Sequence, residues 1–191
     1  MLVLILGIIV FLGVHSLPIF HETRTLLIER FGLGPFKVIY SLVAAIGFAL
    51  ILWGFHLYRA EGLIAVWTPP TWMRHVTILL MWFAFVALAC MNPAPGLIRG
   101  WLRHPMLVAI KIWALAHLLV NGDAGGILLF GSFLGWAVFD RIAVKRRGDV
   151  GAPRIKSFTR SDGIALGLGT AAYVAMIALH PFLIGVSVID N

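Results

Sequence analysis

The sequence predicts an all-α polytopic membrane protein, a bundle of six transmembrane helices with both termini on the outer side, and three observations predict it. Hydrophobic residues make up 61% of the chain and charged residues 12%, with a mean hydropathy of +0.98, far outside the range of a soluble globular domain. The apolar residues gather into six blocks long enough to cross a bilayer. The basic residues crowd into alternate loops, as they do when positive charge is retained on the cytoplasmic side.

Read with a window of about 20 residues, the helices fall at 1–20, 38–58, 75–91, 104–120, 124–144 and 164–185. No Lys or Arg precedes Arg24, so the first block lacks the basic region of a secretory leader and reads as a retained span. Turn-forming residues punctuate the blocks: Gly32, Gly34 and Pro35, then Pro69 and Pro70, then Pro93, Pro95 and Gly96. Asn121-Gly122-Asp123 is a tight turn, which predicts an antiparallel hairpin of the fourth and fifth spans. The polar segments are too short to fold separately, so residues 1–191 form a single transmembrane domain. Small residues recur at helical spacing at Gly131 and Gly135, and at Gly163, Gly167, Ala171 and Ala175, a pattern that predicts close helix packing.

The first, third and fifth loops hold twelve bases: Arg24, Arg30, Lys37, Arg99, Arg103, Arg141, Lys145, Arg146, Arg147, Arg154, Lys156 and Arg160. The second and fourth hold Arg59 and Arg74. Both termini therefore face outward, and the loop from Arg141 to Arg160 lies against the anionic inner leaflet. The net charge of +7 follows from this topology, and the lipid bilayer, not nucleic acid, is the expected partner. A lone Cys90 excludes an internal disulfide and a paired-cysteine metal site, so any redox chemistry must come from a cofactor.

An ionisable side chain inside a membrane is a functional hypothesis by default. Of seven histidines, His21 lies in the first loop, His56, His75 and His180 lie near the outer surface, and His104 opens the fourth span at the inner face. His15 lies ~21 Å in from the outer end of the first span and His117 ~20 Å from the inner end of the fourth. Two imidazoles from separate helices suit a haem held edge-on in a bundle. They also suit a proton relay, or buried histidines bonded to carbonyls or to Ser16. The two depths differ by about 10 Å, which leaves His104 as an alternative ligand to His15.

On the inner side, Pro105 suits the first turn of a helix, leaving Arg103 and His104 at the headgroup boundary, where they can hold a carboxylate or phosphate. Lys111 lies seven residues from His104 and so on nearly the same helix face, and the predicted hairpin sets Asp140 level with Pro105. Arg103, His104, Lys111 and Asp140 thus form a candidate propionate clamp, proton entry site or structural ion-pair network.

Val14-His15-Ser16, Arg103-His104-Pro105-Met106, Lys111, Trp113, Ala116-His117 and the Asn121-Gly122-Asp123 turn together resemble the NnrU family of bacterial membrane proteins, over essentially the whole chain. That resemblance implies an inner (cytoplasmic) membrane protein supporting nitrite or nitric oxide reduction in denitrification. The family includes the plant 15-cis-zeta-carotene isomerase, a haem b enzyme, and similarity to it implies that His15 and His117 are axial ligands of haem b. The isomerase has a cysteine three residues before the second histidine, where this chain has Ala114. A cysteine ligand switch is therefore missing at that place, which counts against carotene isomerisation more than against haem. A haem-bearing redox or isomerase enzyme acting on a small or apolar molecule is one reading. A sensor or assembly factor for a nitrogen-oxide reductase system is a second. The Arg-His-Pro opening is also similar to the isoprenylcysteine carboxyl methyltransferase family, which implies S-adenosylmethionine binding as a third.

Overall fold

A computed structural model describes residues 1–91 and 94–189, and Pro93, one of the turn formers named above, lies outside the described residues. Among the described residues the protein is all-α, with helices α1 (Leu2–His15), α2 (His21–Phe31), α3 (Leu33–Glu61), α4 (Met73–Ala89), α5 (Leu97–Leu102), α6 (Pro105–Leu118), α7 (Ala124–Arg146) and α8 (Arg160–Ile184). Three of them, α3, α7 and α8, are long and apolar enough to cross a membrane, while α1, α4 and α6 are apolar but shorter. The chain packs as two compact units, residues 1–68 with 121–144 and residues 69–120 with 145–191.

Each of the six apolar blocks contains a helix, with differences that have local causes. The first block stops being helical at His15 and turns through Ser16–Phe20. At 14 residues, α1 and α6 each rise only about 21 Å. Gly34 and Pro35 do not break the chain: α3 starts at Leu33, because proline in a first turn loses an N–H that has no helical partner anyway. The break is Gly32 alone, at φ 83° and ψ 155°, a conformation open to glycine and almost nothing else. Two helices were not foreseen: α2, polar and with no buried residue, in the first loop, and the short α5 before the Arg-His-Pro segment. At the other end, α7 runs on through the bases to Arg146, which shortens the loop after it.

In the first unit, α1 packs antiparallel against α3, with Leu4 beside Gly54, Gly7 beside Leu50 and Ile51, and Phe11 beside Gly47. A Cβ at Gly47 would lie 2.7 Å from the Phe11 backbone nitrogen and one at Gly7 2.6 Å from that of Ile51, so the helices meet backbone to backbone. Such contact replaces the hydrophobic drive that lipid does not supply. The stripes singled out in the sequence behave otherwise. Among the described residues, nothing lies within 4 Å of a Cβ added at Gly131, Gly135, Gly163 or Gly167.

The turn at Asn121–Asp123 is tied back to the segment after α3. Val66 and Trp67 donate N–H to the Gly122 carbonyl at 2.8 and 3.0 Å, Ala124 donates to Ile64 O at 2.9 Å, and Ala65 bridges Asp123. The Asp123 carboxylate accepts the Gly126 N–H at 2.8 Å, and Tyr58, fully buried against Gly125, accepts the Ile64 N–H at 3.0 Å. This turn therefore starts α7 as part of the first unit.

In the second unit, α4 packs against α6 and α8. The Thr77 hydroxyl donates to Ala116 O at 2.8 Å, and Gly169 lets α8 meet the backbone of α4 at Val86. Tyr173 donates to Ile78 O and Trp82 to the Thr170 hydroxyl, fixing the antiparallel register of α4 and α8.

Candidate functional site

His15 is the last residue of α1 and is half-buried. Its Nδ1 lies 2.7 Å from the carbonyl of Phe11, one turn earlier. A carbonyl only accepts, so this nitrogen carries a proton, and in the neutral imidazole Nε2 is the nitrogen with the lone pair. Aromatic rings frame the imidazole: Phe11 at 4.1 Å, Tyr40 at 5.6 Å and Trp136 at 6.2 Å, the last edge-on at 89°. The Trp136 indole N–H, beside this imidazole, is buried and has no hydrogen-bond partner among the described residues.

His117 repeats the device in the other unit. It stands in the last turn of α6, its Nδ1 2.8 Å from the Trp113 carbonyl four residues back, which makes Nδ1 the donor as in His15. Ala114 and Ala116 flank it with no exposed surface, and the Trp113 ring packs 5.4 Å away. His180 also engages a carbonyl through Nδ1, but that of Val186, beyond the end of its own helix, so the ring clasps the segment after α8 instead of its own helical turn.

The other candidates divide between the units. Arg103, His104 and Lys111 belong with His117, and Asp140 belongs with His15. Arg103 and His104 are brought together with the connection before α8. Arg103 has φ 64° and ψ −54°, and the His104 N–H reaches Leu102 O at 2.7 Å, closing a three-residue turn of strained hand. The Arg103 guanidinium donates to Ala152 O at 2.7 Å, and the Ala152 N–H returns a bond to Arg103 O at 2.9 Å. The Arg103 head is thus engaged by the chain's own backbone. Gly151, at φ 70°, lies under this turn, where a Cβ would be 2.8 Å from His104 Nε2. That nitrogen is buried and has no hydrogen-bond partner among the described residues. Lys111 is half-buried within α6, and Asp140 is half-buried near the end of α7.

Sequence reasoning missed two groups. Asp162, 2% exposed, accepts from the backbone of Leu97 and Ile98 and from the N–H and hydroxyl of Thr159, capping α8 while holding the start of α5. The signal was Thr159-x-x-Asp162, a capping-box spacing. The second group lines a cleft of about 330 Å³ one turn past His15, with Leu17, Pro18 and Phe36 as its apolar lining and Arg24, Lys37, Tyr40 and Ser41 as its polar lining. Its signal was the spacing of Lys37, Tyr40 and Ser41 on one helix face, hidden while Lys37 was assigned to a loop. Among the described residues, no group of three or more His, Cys, Asp or Glu side chains is placed to hold a metal ion.

Long apolar helices joined by short polar segments define the class: a multi-pass helical membrane protein. The chain belongs to the NnrU family, described as NnrU protein, which matches residues 3–188. No curated protein and no solved structure matches it.

Proposed function

We propose that this NnrU-family membrane protein binds haem b through Nε2 of His15 and of His117, and that the haem serves redox chemistry or sensing in support of nitrite and nitric oxide reduction at the inner membrane. The observation that carries this reading is the shared posture of the two imidazoles. Each has Nδ1 committed to the carbonyl one turn earlier in its own helix. A bond of that kind fixes both tautomer and ring orientation and raises the basicity of the remaining nitrogen, as second-shell partners of metal-bound histidines do. A haem iron takes four ligands from its porphyrin and accepts one or two more from the protein. The donor set therefore fits the group, and the orphaned Trp136 N–H beside His15 offers a hydrogen bond to whatever occupies that side. When bound, haem with both axial positions filled supplies one-electron transfer or ligand exchange. The chain's own part is to hold the two nitrogens and to exclude water with Phe11, Ala114 and Trp113.

The same proposal includes six spans with both termini outward, supported by the distribution of basic residues. Absorption spectra of the purified protein, oxidised and reduced, test the ligand assignment. Low-spin bis-imidazole bands are expected, lost in both His15→Ala and His117→Ala. Bands that shift with nitric oxide assign sensing. A colourless protein, or one whose bands survive both substitutions, overturns the proposal.

A further inference from the structure

The cleft beyond His15 has a chemistry that the axial ligands do not use. Arg24 and Lys37 bring two positive charges to it, Tyr40 and Ser41 two hydroxyls, and Phe36 an apolar wall over which the Arg24 guanidinium lies at 5.8 Å. Among the described residues, no carboxylate is within ion-pair distance of either cation. Tyr40 links the cleft to the histidine, since it lines the cleft while its ring meets His15 at 5.6 Å. Leu17 and Pro18 reach the cleft two and three residues after His15. A ligand centred on His15 and extending into the cleft must therefore be flat or apolar near the ring and anionic at its far edge.

We infer that this cleft receives the propionate carboxylates of the haem, with Arg24 and Lys37 as the charge partners and Tyr40 and Ser41 as hydroxyl donors. The inference rests on the haem reading above. It moves the propionate clamp from the Arg-His-Pro segment, where the Arg103 head is already bonded to Ala152 O, to the α2–α3 side of the first unit. Charge-assisted hydrogen bonds to carboxylates are the strong class, so their removal is measurable.

The test compares haem b with its dimethyl ester, in which both propionates are neutral, on the full-length protein in detergent. The wild type is expected to bind the free acid roughly tenfold or more tightly than the ester, the factor expected from one charge-assisted bond. Arg24→Gln with Lys37→Gln should erase that preference, keep the bis-imidazole bands and lower the midpoint potential, since two positive charges near the iron are gone. Arg24→Lys with Lys37→Arg should restore the preference. A wild type indifferent to esterification overturns the inference while leaving the axial ligands standing. So does a double glutamine variant that keeps its preference for haem b but loses a preference for vesicles containing anionic lipid, because the cations would then serve a lipid phosphate. A wild type that shows no bis-imidazole bands with either porphyrin overturns both readings together.

Discussion

Replacing Asp162 should be among the most damaging single changes in the second unit, and the structure gives the size of the effect. Its Oδ2 accepts the N–H of Leu97 at 3.0 Å and of Thr159 at 2.7 Å and the Thr159 hydroxyl at 2.9 Å, while Oδ1 accepts the N–H of Ile98 at 2.8 Å. The side chain is 2% exposed. Water does not replace these bonds once the carboxylate is gone. A hydrogen bond to a charged group contributes ~1.5–3 kcal/mol net, and a buried donor left without a partner costs about 1–3 kcal/mol. These contributions share one side chain and do not add fully, so Asp162→Ala should cost about 3–5 kcal/mol. Asp162→Asn keeps one acceptor but turns an NH2 toward backbone donors, and should cost about 3 kcal/mol. For a chain of this length each kcal/mol moves the midpoint by about 2–4 °C. Thermal unfolding in one detergent, followed by far-ultraviolet circular dichroism, should therefore show Asp162→Asn melting ~6–12 °C below wild type. A fall of under about 2 °C for Asp162→Ala would refute the claim that this carboxylate joins the starts of α5 and α8.

Three further changes separate glycines that meet a backbone from glycines that do not. Gly47→Ala sets a methyl 2.7 Å from the Phe11 nitrogen, so α1 must move off α3; a cost of about 1–3 kcal/mol should appear as a lower melting midpoint. Gly167→Ala meets nothing within 4 Å among the described residues and improves helix propensity, so its midpoint should hold or rise by the equivalent of about 1 kcal/mol. Gly151→Ala combines a positive φ with a clash against Arg103 O at 2.5 Å and should cost about 2–3 kcal/mol, measured in the same melt.

The parts of the fold legible in the sequence were those set by local composition. Each apolar block holds a helix because a helix satisfies the backbone within the segment itself, with no partner strand and no water needed. His15 and His117 stand out in the sequence by their depth within apolar blocks, and in the structure the Nδ1 of each meets a carbonyl one turn back in its own helix, a local contact that needs no knowledge of packing. What escaped was set by which faces meet. Gly47 and Gly54, seven apart, form the α1 contact, whereas the closer-spaced Gly163 and Gly167 do not meet a neighbouring backbone, and spacing alone does not distinguish the two cases. The cleft was missed for a similar reason: Arg24 comes from a polar helix that reads as loop, and only the fold sets it beside Lys37.

The shortness of α1 and α6 has one more consequence. A rise of about 21 Å falls well short of the ~30 Å of hydrocarbon in a typical bilayer. Each helix has to finish its final turn with donors from the protein, and does: Leu12 O accepts from the Ser16 hydroxyl, Gly13 O from the Ser16 N–H and Val14 O from the Leu17 N–H, while Ala116 O accepts from the Thr77 hydroxyl and His117 O from the Val120 N–H. The helix ends that carry His15 and His117 are thus tied off by the turn that follows each and by a hydroxyl, from Ser16 and from Thr77 respectively, so a short span here is sealed from within and calls for no water at its end.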